Sequence, residues 1–211
     1  MVPDSNLPVS IIIQILDLFG TMAFAVTGAF KAIEHKSDVV GIIILSSITG
    51  VAGGVMRDIT FGKLPPTAVV NPFYITITIS TAIVISLLYP SLKKHSDVFL
   101  KFDAIGLGTF TIIGSIFAYN VFGLNFLAMS VSGVLTAIGG GILRDVFVNE
   151  MPIVFVKEFY ASASFVGVVI LFFMLSIKVN LSLAAIVAMT ITTLLRLIAV
   201  KFKWNLPKAR N

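Results

Sequence analysis

The chain has 211 residues, of which 57% are apolar and only 12% charged, and its mean hydropathy is +1.04. A soluble domain carries about 25% charged residues, so this composition excludes one and indicates an integral membrane protein. No cysteine is present, which rules out disulfides and thiolate metal sites. The net charge of +5 is explained first by membrane orientation and anionic lipid, ahead of nucleic acid.

Between Asp4 and Lys31 the only charge is Asp17, and residues 39–56, 64–92, 104–143, 159–177 and 179–195 carry none. The run Tyr119-Asn120 to Gly123-Leu124-Asn125 is polar and turn-prone, and it divides the longest of these stretches. Seven membrane helices are predicted, near 9–33, 39–56, 68–89, 101–118, 124–143, 153–176 and 180–200. They occupy most of the chain and leave no room for a separate soluble domain. Ala23-Phe24-Ala25 mimics a signal-peptidase site, but residues 1–8 hold no Lys or Arg, so the first segment is read as a mature helix.

Basic residues set the expected orientation. With the N-terminus outside, the inner segments hold Lys31, Lys36, Lys93, Lys94, Lys101, Arg144, Lys157, Arg196, Lys201, Lys203, Lys208 and Arg210. The outer segments hold only Arg57, Lys63 and Lys178. The basic tail 201–211, around Trp204, reads as an anchor to anionic lipid of the inner leaflet.

The chain also aligns with itself. Asp17-Leu-Phe-Gly20 with Phe24 and Gly28 matches Asp103-Ala-Ile-Gly106 with Phe110 and Gly114 at an offset of 86. Thr49-Gly-Val-Ala-Gly53-Gly54-Val-Met-Arg57-Asp58 matches Thr136-Ala-Ile-Gly-Gly140-Gly141-Ile-Leu-Arg144-Asp145 at an offset of 87. Repeat one covers 9–89 and repeat two 97–176, each with three spans, and the helix at 180–200 stands alone. An odd number of spans per repeat inverts the second relative to the first, an arrangement used to build paths across membranes.

Paired glycines late in spans two and five permit a bend or a close helix approach. A bend implies a water-lined path, because freed backbone groups must find partners; close approach implies packing alone. Neighbouring residues on a helix point in different directions, so the Arg57-Asp58 and Arg144-Asp145 doublets are not expected to satisfy themselves. Depth instead pairs Asp17 with Arg57 and Asp103 with Arg144, as gates or structural pairs at opposite mouths. Ser46, Ser47, Thr49, Ser130, Ser132 and Thr136 offer hydroxyls that could line an ion path, or bond back to helix carbonyls. The Thr76, Thr78, Ser80 and Thr81 run is read as packing.

No chemistry of another kind is visible: His35 and His95 stand alone in charged loops, and Gly139-Gly140-Gly141 lacks the Lys-Ser/Thr of a phosphate loop. An enzyme is not expected, nor any cofactor beyond a permeating K+ or Na+.

At its repeated Gly-Gly-x-x-Arg-Asp strings the chain resembles the trimeric intracellular cation (TRIC) channel family, in its compact prokaryotic branch. The resemblance extends over nearly the whole chain. It implies a homotrimer in the cell membrane with a pore in each protomer, conducting K+ and, less selectively, Na+. It also implies that the pore lies at the bends of spans two and five, Gly53-Gly54 and Gly140-Gly141. The same sequence family also carries the label of a glycine transporter, the alternative function.

Overall fold

The computed structural model describes residues 7–93, 97–156 and 159–204. Lys94, His95, Lys157, Lys208 and Arg210, all given places in the sequence reading, lie outside the described residues.

Among the described residues there are nine helices and no strand. They are α1 (Leu7–Glu34), α2 (Val39–Thr60), α3 (Thr67–Val70), α4 (Pro72–Leu92), α5 (Val98–Phe122), α6 (Phe126–Phe147), α7 (Ile153–Val156), α8 (Ala161–Ser176) and α9 (Leu181–Lys201). Local chemistry accounts for several boundaries. Asp38 starts α2 by accepting from the Gly41 amide at 2.7 Å, and Asn125 starts α6 by accepting from Ala128 N at 3.0 Å. Gly123, with φ of 65°, ends α5 in a conformation that favours glycine.

Among the described residues six helices are long and apolar enough to cross a membrane: α1, α2, α4, α5, α6 and α9. The sixth predicted span is shorter. Instead of one helix over 153–176 the chain forms the single turn α7 and then the sixteen-residue α8, whose length of about 24 Å falls short of a full hydrocarbon core. The third predicted span, 68–89, is likewise split into α3 and α4, because Asn71 caps a new helix whose first residue is Pro72. Both breaks coincide with marks in the sequence, Asn71-Pro72 before α4 and Lys157-Glu158 between α7 and α8, that hydropathy averaged over a whole span passes over.

The two halves use corresponding contacts. α1 packs on α2 and α4, and α2 on α4; in the second half α5 packs on α6 and α8, and α6 on α8. The halves join through α1 against α5 and α2 against α6, and α9 lies on α5 and α8. The central helix α5 is buried over most of its length, whereas α4 exposes Phe73, Ile75, Ile83, Val84, Leu87 and Leu88. Apolar side chains on an outer surface are what hydrocarbon accepts. The chain is a multi-pass membrane protein.

Candidate functional site: two clusters flanking a glycine crossing

The site begins where α2 meets α6. Gly53 lies against the Thr136 carbonyl and Gly140 against the Thr49 carbonyl; a Cβ at either glycine would overlap that oxygen. Residue 53 therefore faces 136 while 49 faces 140, so the two helices cross antiparallel. Both stay α-helical through their glycine pairs. The second glycine of each pair points elsewhere. A Cβ on Gly54 would find its nearest neighbour, Arg57 Nη2, at 3.8 Å, and one on Gly141 would find the Tyr160 hydroxyl at 3.5 Å and Arg144 Nη2 at 3.7 Å. Within each pair, then, one glycine packs helices and the other leaves space beside an arginine.

Four predicted hydroxyls sit at this crossing and are fully buried. Thr49 donates to the Leu45 carbonyl and Thr136 to that of Ser132, both at 2.6 Å. Ser46 donates to Ala25 O at 2.9 Å and Ser132 to Gly114 O at 2.6 Å, tying neighbouring helices together. In this conformation their donors are spent on carbonyls, and none of them lines the cavities described below. Thr78 and Thr81 likewise bond to Ile75 O and Ile77 O.

The first cluster stands at the end of α2. Arg57 Nε and Nη2 both donate to Asp58 Oδ1, at 2.9 and 2.7 Å, and the guanidinium lies 4.6 Å from the Phe117 ring centroid. Asp58 Oδ2 accepts from the amide and hydroxyl of Thr67 at 2.8 and 2.7 Å. Asp17 is not an ion-pair partner of Arg57; its Oδ2 accepts from the Tyr74 hydroxyl. Asp17, Gly54, Arg57, Asp58, Thr67 and Tyr74 surround a cavity of about 10 Å³, room for about one water.

The second cluster stands at the end of α6 and repeats the outline of the first. Arg144 Nε donates to Asp145 Oδ1 at 2.8 Å, and Asp145 Oδ2 accepts from the Ile153 amide at 2.9 Å. The Tyr160 hydroxyl donates to Asp103 Oδ1 at 3.2 Å. Here, however, Arg144 Nη1 reaches Asp103 Oδ1 at 3.1 Å as well as the Thr27 hydroxyl at 2.8 Å. The gap beside Gly141, Arg144, Asp145 and Tyr160 is closed to water. On its far side opens a vestibule of about 520 Å³ lined by Lys31, Glu34, Phe99, Glu150 and Ile153. Ile153 lines both spaces, and Phe99 also carries the Arg144 guanidinium at 4.8 Å.

Three sequence expectations are corrected by this geometry. Each Arg-Asp doublet does pair with itself, because the long arginine side chain folds across to a carboxylate held from its other side by the helix that follows, although Arg144 Nη2 is buried without a hydrogen-bond partner. Of the two pairings expected from depth, Asp103 with Arg144 are brought together and Asp17 with Arg57 are not. His35 is not isolated either: Nε2 lies 3.3 Å from Glu150 Oε1, and Lys31 Nζ donates to Glu150 Oε2 at 2.7 Å.

Tyr74 and Tyr160 were not among the residues selected from sequence. The signal was present: Phe73-Tyr74 and Phe159-Tyr160 recur at the offset of 86 that relates Asp17 to Asp103.

Comparison with known proteins agrees with this duplicated geometry. One family model, described as "Glycine transporter", matches twice, at residues 14–90 and 100–176. The "UPF0126 inner membrane protein YadS" of Escherichia coli (strain K12) is 32% identical over 194 residues, 91% of this chain and 93% of that protein. Among solved structures, a TRIC cation channel studied for its conductance is 33% identical with a TM-score of 0.85, covering 94% of this chain and 97% of that one. The TRIC orthologue from Rhodobacter sphaeroides is 28% identical with a TM-score of 0.87, covering 92% and 99%. Sequence, fold and both matched halves agree: the chain belongs to the prokaryotic TRIC family, the family whose sequence model is described as glycine transporter.

Proposed function

We propose that this protein is a monovalent cation channel that prefers K+, passes some Na+, and assembles as a homotrimer with a pore in each protomer. The observation that carries the reading is the pair of matching Asp-Tyr-Arg-Asp clusters at the two ends of the antiparallel α2–α6 crossing. In each, a Cβ on the second glycine would touch the arginine at ordinary contact distance without a clash. A path through the protomer runs from the small cavity at Asp17, past the faces of Gly54 and Gly141, to the vestibule at Glu34 and Glu150.

The antiparallel crossing and the twofold family match support two inverted three-helix repeats, with α3–α4 and α7–α8 as their third members and α9 as the unpaired seventh helix. The excess of basic residues on one side supports an outside N-terminus and an inside C-terminus in the cell membrane. Anionic lipid would meet the basic tail there. Carboxylates at both ends favour cations, and each arginine is neutralised by its neighbour, so it does not bar them.

The family description favours a second reading, a carrier of glycine. Against it stands the size of the first cavity, which admits about one water and no amino acid.

Recording from the purified protein in planar bilayers tests the choice. Discrete K+ currents unaffected by glycine are expected. Saturable glycine uptake without unitary currents would overturn the channel.

A further inference from the structure

The two clusters are not electrically equal. At the first, one arginine stands against two aspartates, Asp17 and Asp58. At the second, Arg144 stands against Asp103 and Asp145, but α9 adds a second cation. Arg196 is 2% exposed, and its guanidinium lies 4.5 Å from the ring centroid of Tyr160, the residue that both holds Asp103 and lines the closed gap. No cation is recorded over the Tyr74 ring among the described residues, and α9 has no counterpart in the first half.

Packing alone does not explain Arg196. Its Nε and Nη2 are buried without a hydrogen-bond partner, and buried donors left unmet are costly. An arginine remains charged even there. Surrounding charges do not restore the balance. Lys63, which shares the Phe117 ring with Arg57, is exposed to solvent; at the second mouth Lys31 is paired with Glu150, and Glu34 is exposed like Lys63. A charge in a water-excluded site acts over longer distances than one at the surface.

We propose that Arg196 sets the direction in which the pore conducts better, by making the Asp103 mouth poorer in cations than the Asp17 mouth. This rests on the channel reading. K+ gathers at the net negative mouth and less at the balanced one. With equal KCl on both sides, current from the Asp17 mouth to the Asp103 mouth should exceed the reverse current, which is inward rectification in the orientation proposed above.

The test is single-channel recording of wild type, Arg196→Gln and Arg196→Lys in symmetric KCl. The chain has no cysteine, so Val70→Cys, exposed beside the first cluster, lets an impermeant thiol reagent mark that side of the bilayer. Wild type should rectify. Arg196→Gln should raise the weaker current about twofold or more and bring the ratio toward one. Arg196→Lys keeps the charge but loses the planar stack, and should keep the wild-type ratio.

Three results overturn the proposal: equal currents in wild type, a wild-type ratio in Arg196→Gln, or the same shift in both variants, which would mark a packing role. If Arg196→Gln does not assemble, the wild-type ratio still decides. A wild type with no unitary current removes the channel reading itself, and this proposal with it.

Discussion

At Gly53 and Gly140 a methyl group would overlap a backbone carbonyl, whereas at Gly54 and Gly141 it makes only ordinary contact beside an arginine. The same substitution should therefore have opposite consequences one residue apart. Gly53→Ala and Gly140→Ala should destabilise the protein by about 1–3 kcal/mol, the usual range for overpacking, seen as a lower melting temperature in detergent. Gly54→Ala and Gly141→Ala should preserve or slightly raise that temperature, since alanine favours the helix by about 1 kcal/mol, and should reduce K+ flux per assembled protein. Wild-type flux in both would remove these faces from the path. The aspartates should also differ. Asp103→Asn breaks a buried ion pair and should cost about 3–5 kcal/mol. Asp17→Asn removes a carboxylate held by a tyrosine and no arginine, so it should cost about 1–3 kcal/mol. Equal losses by thermal unfolding would contradict the difference in geometry between the clusters.

The two one-turn helices α3 and α7 are held by the same device. Asp58 and Asp145 each turn one oxygen to an arginine and the other to the first amide of the helix that follows. Each doublet thus joins a membrane helix to the start of the next unit. Thr67 adds a hydroxyl bond that Ile153 cannot, so only the first tether can be weakened by a near-isosteric change. Thr67→Val should loosen α3, and an introduced cysteine at Ala68 should then react faster with an aqueous thiol reagent. An unchanged rate would show that the amide alone holds α3. These tethers explain a limit of sequence reading. Charges and hydropathy located the long helices, and the repeated string located the arginines and aspartates. The breaks before α4 and α8 are marked in the sequence by Asn71-Pro72 and Lys157-Glu158, but hydropathy averaged over a span passes over them. That Arg57 would fold back on Asp58 depends on Thr67, nine residues away, which no local rule connects to it. Arg196 was hidden differently. It stands near the basic end of a helix with no repeat partner, where a charge reads as a marker of orientation.

For the whole molecule, the proposed pore in every protomer makes a firm demand on the proposed trimer. When wild type and Gly54→Ala chains are mixed before assembly, each subunit should conduct independently of its neighbours. Recordings should show wild-type and reduced current levels in binomial proportions, with no change in the level of either. A single pore shared on the threefold axis would instead give intermediate levels in mixed trimers. Crosslinking in bilayers that never exceeds a monomer would remove the trimer itself.

The contacts of the two clusters also bear on how the chain is made. Asp17, Arg57, Asp58, Thr67 and Tyr74 all lie before residue 93, so the ion pair and hydrogen bonds of the first cluster can close once α1 to α4 are in the membrane. The second cannot finish so simply. Arg144 needs Thr27, already delivered with α1, and Tyr160 meets Arg196 only when α9, which follows α8, arrives. The first half therefore waits in the bilayer with the Gly53 face of α2 uncovered until α6 emerges. What joins the halves afterwards, the glycine crossing and the Lys31–Glu150 bridge, involves no peptide bond. Two separately translated pieces, divided between residues 93 and 97, should consequently find each other in the same membrane and restore the assembled protein.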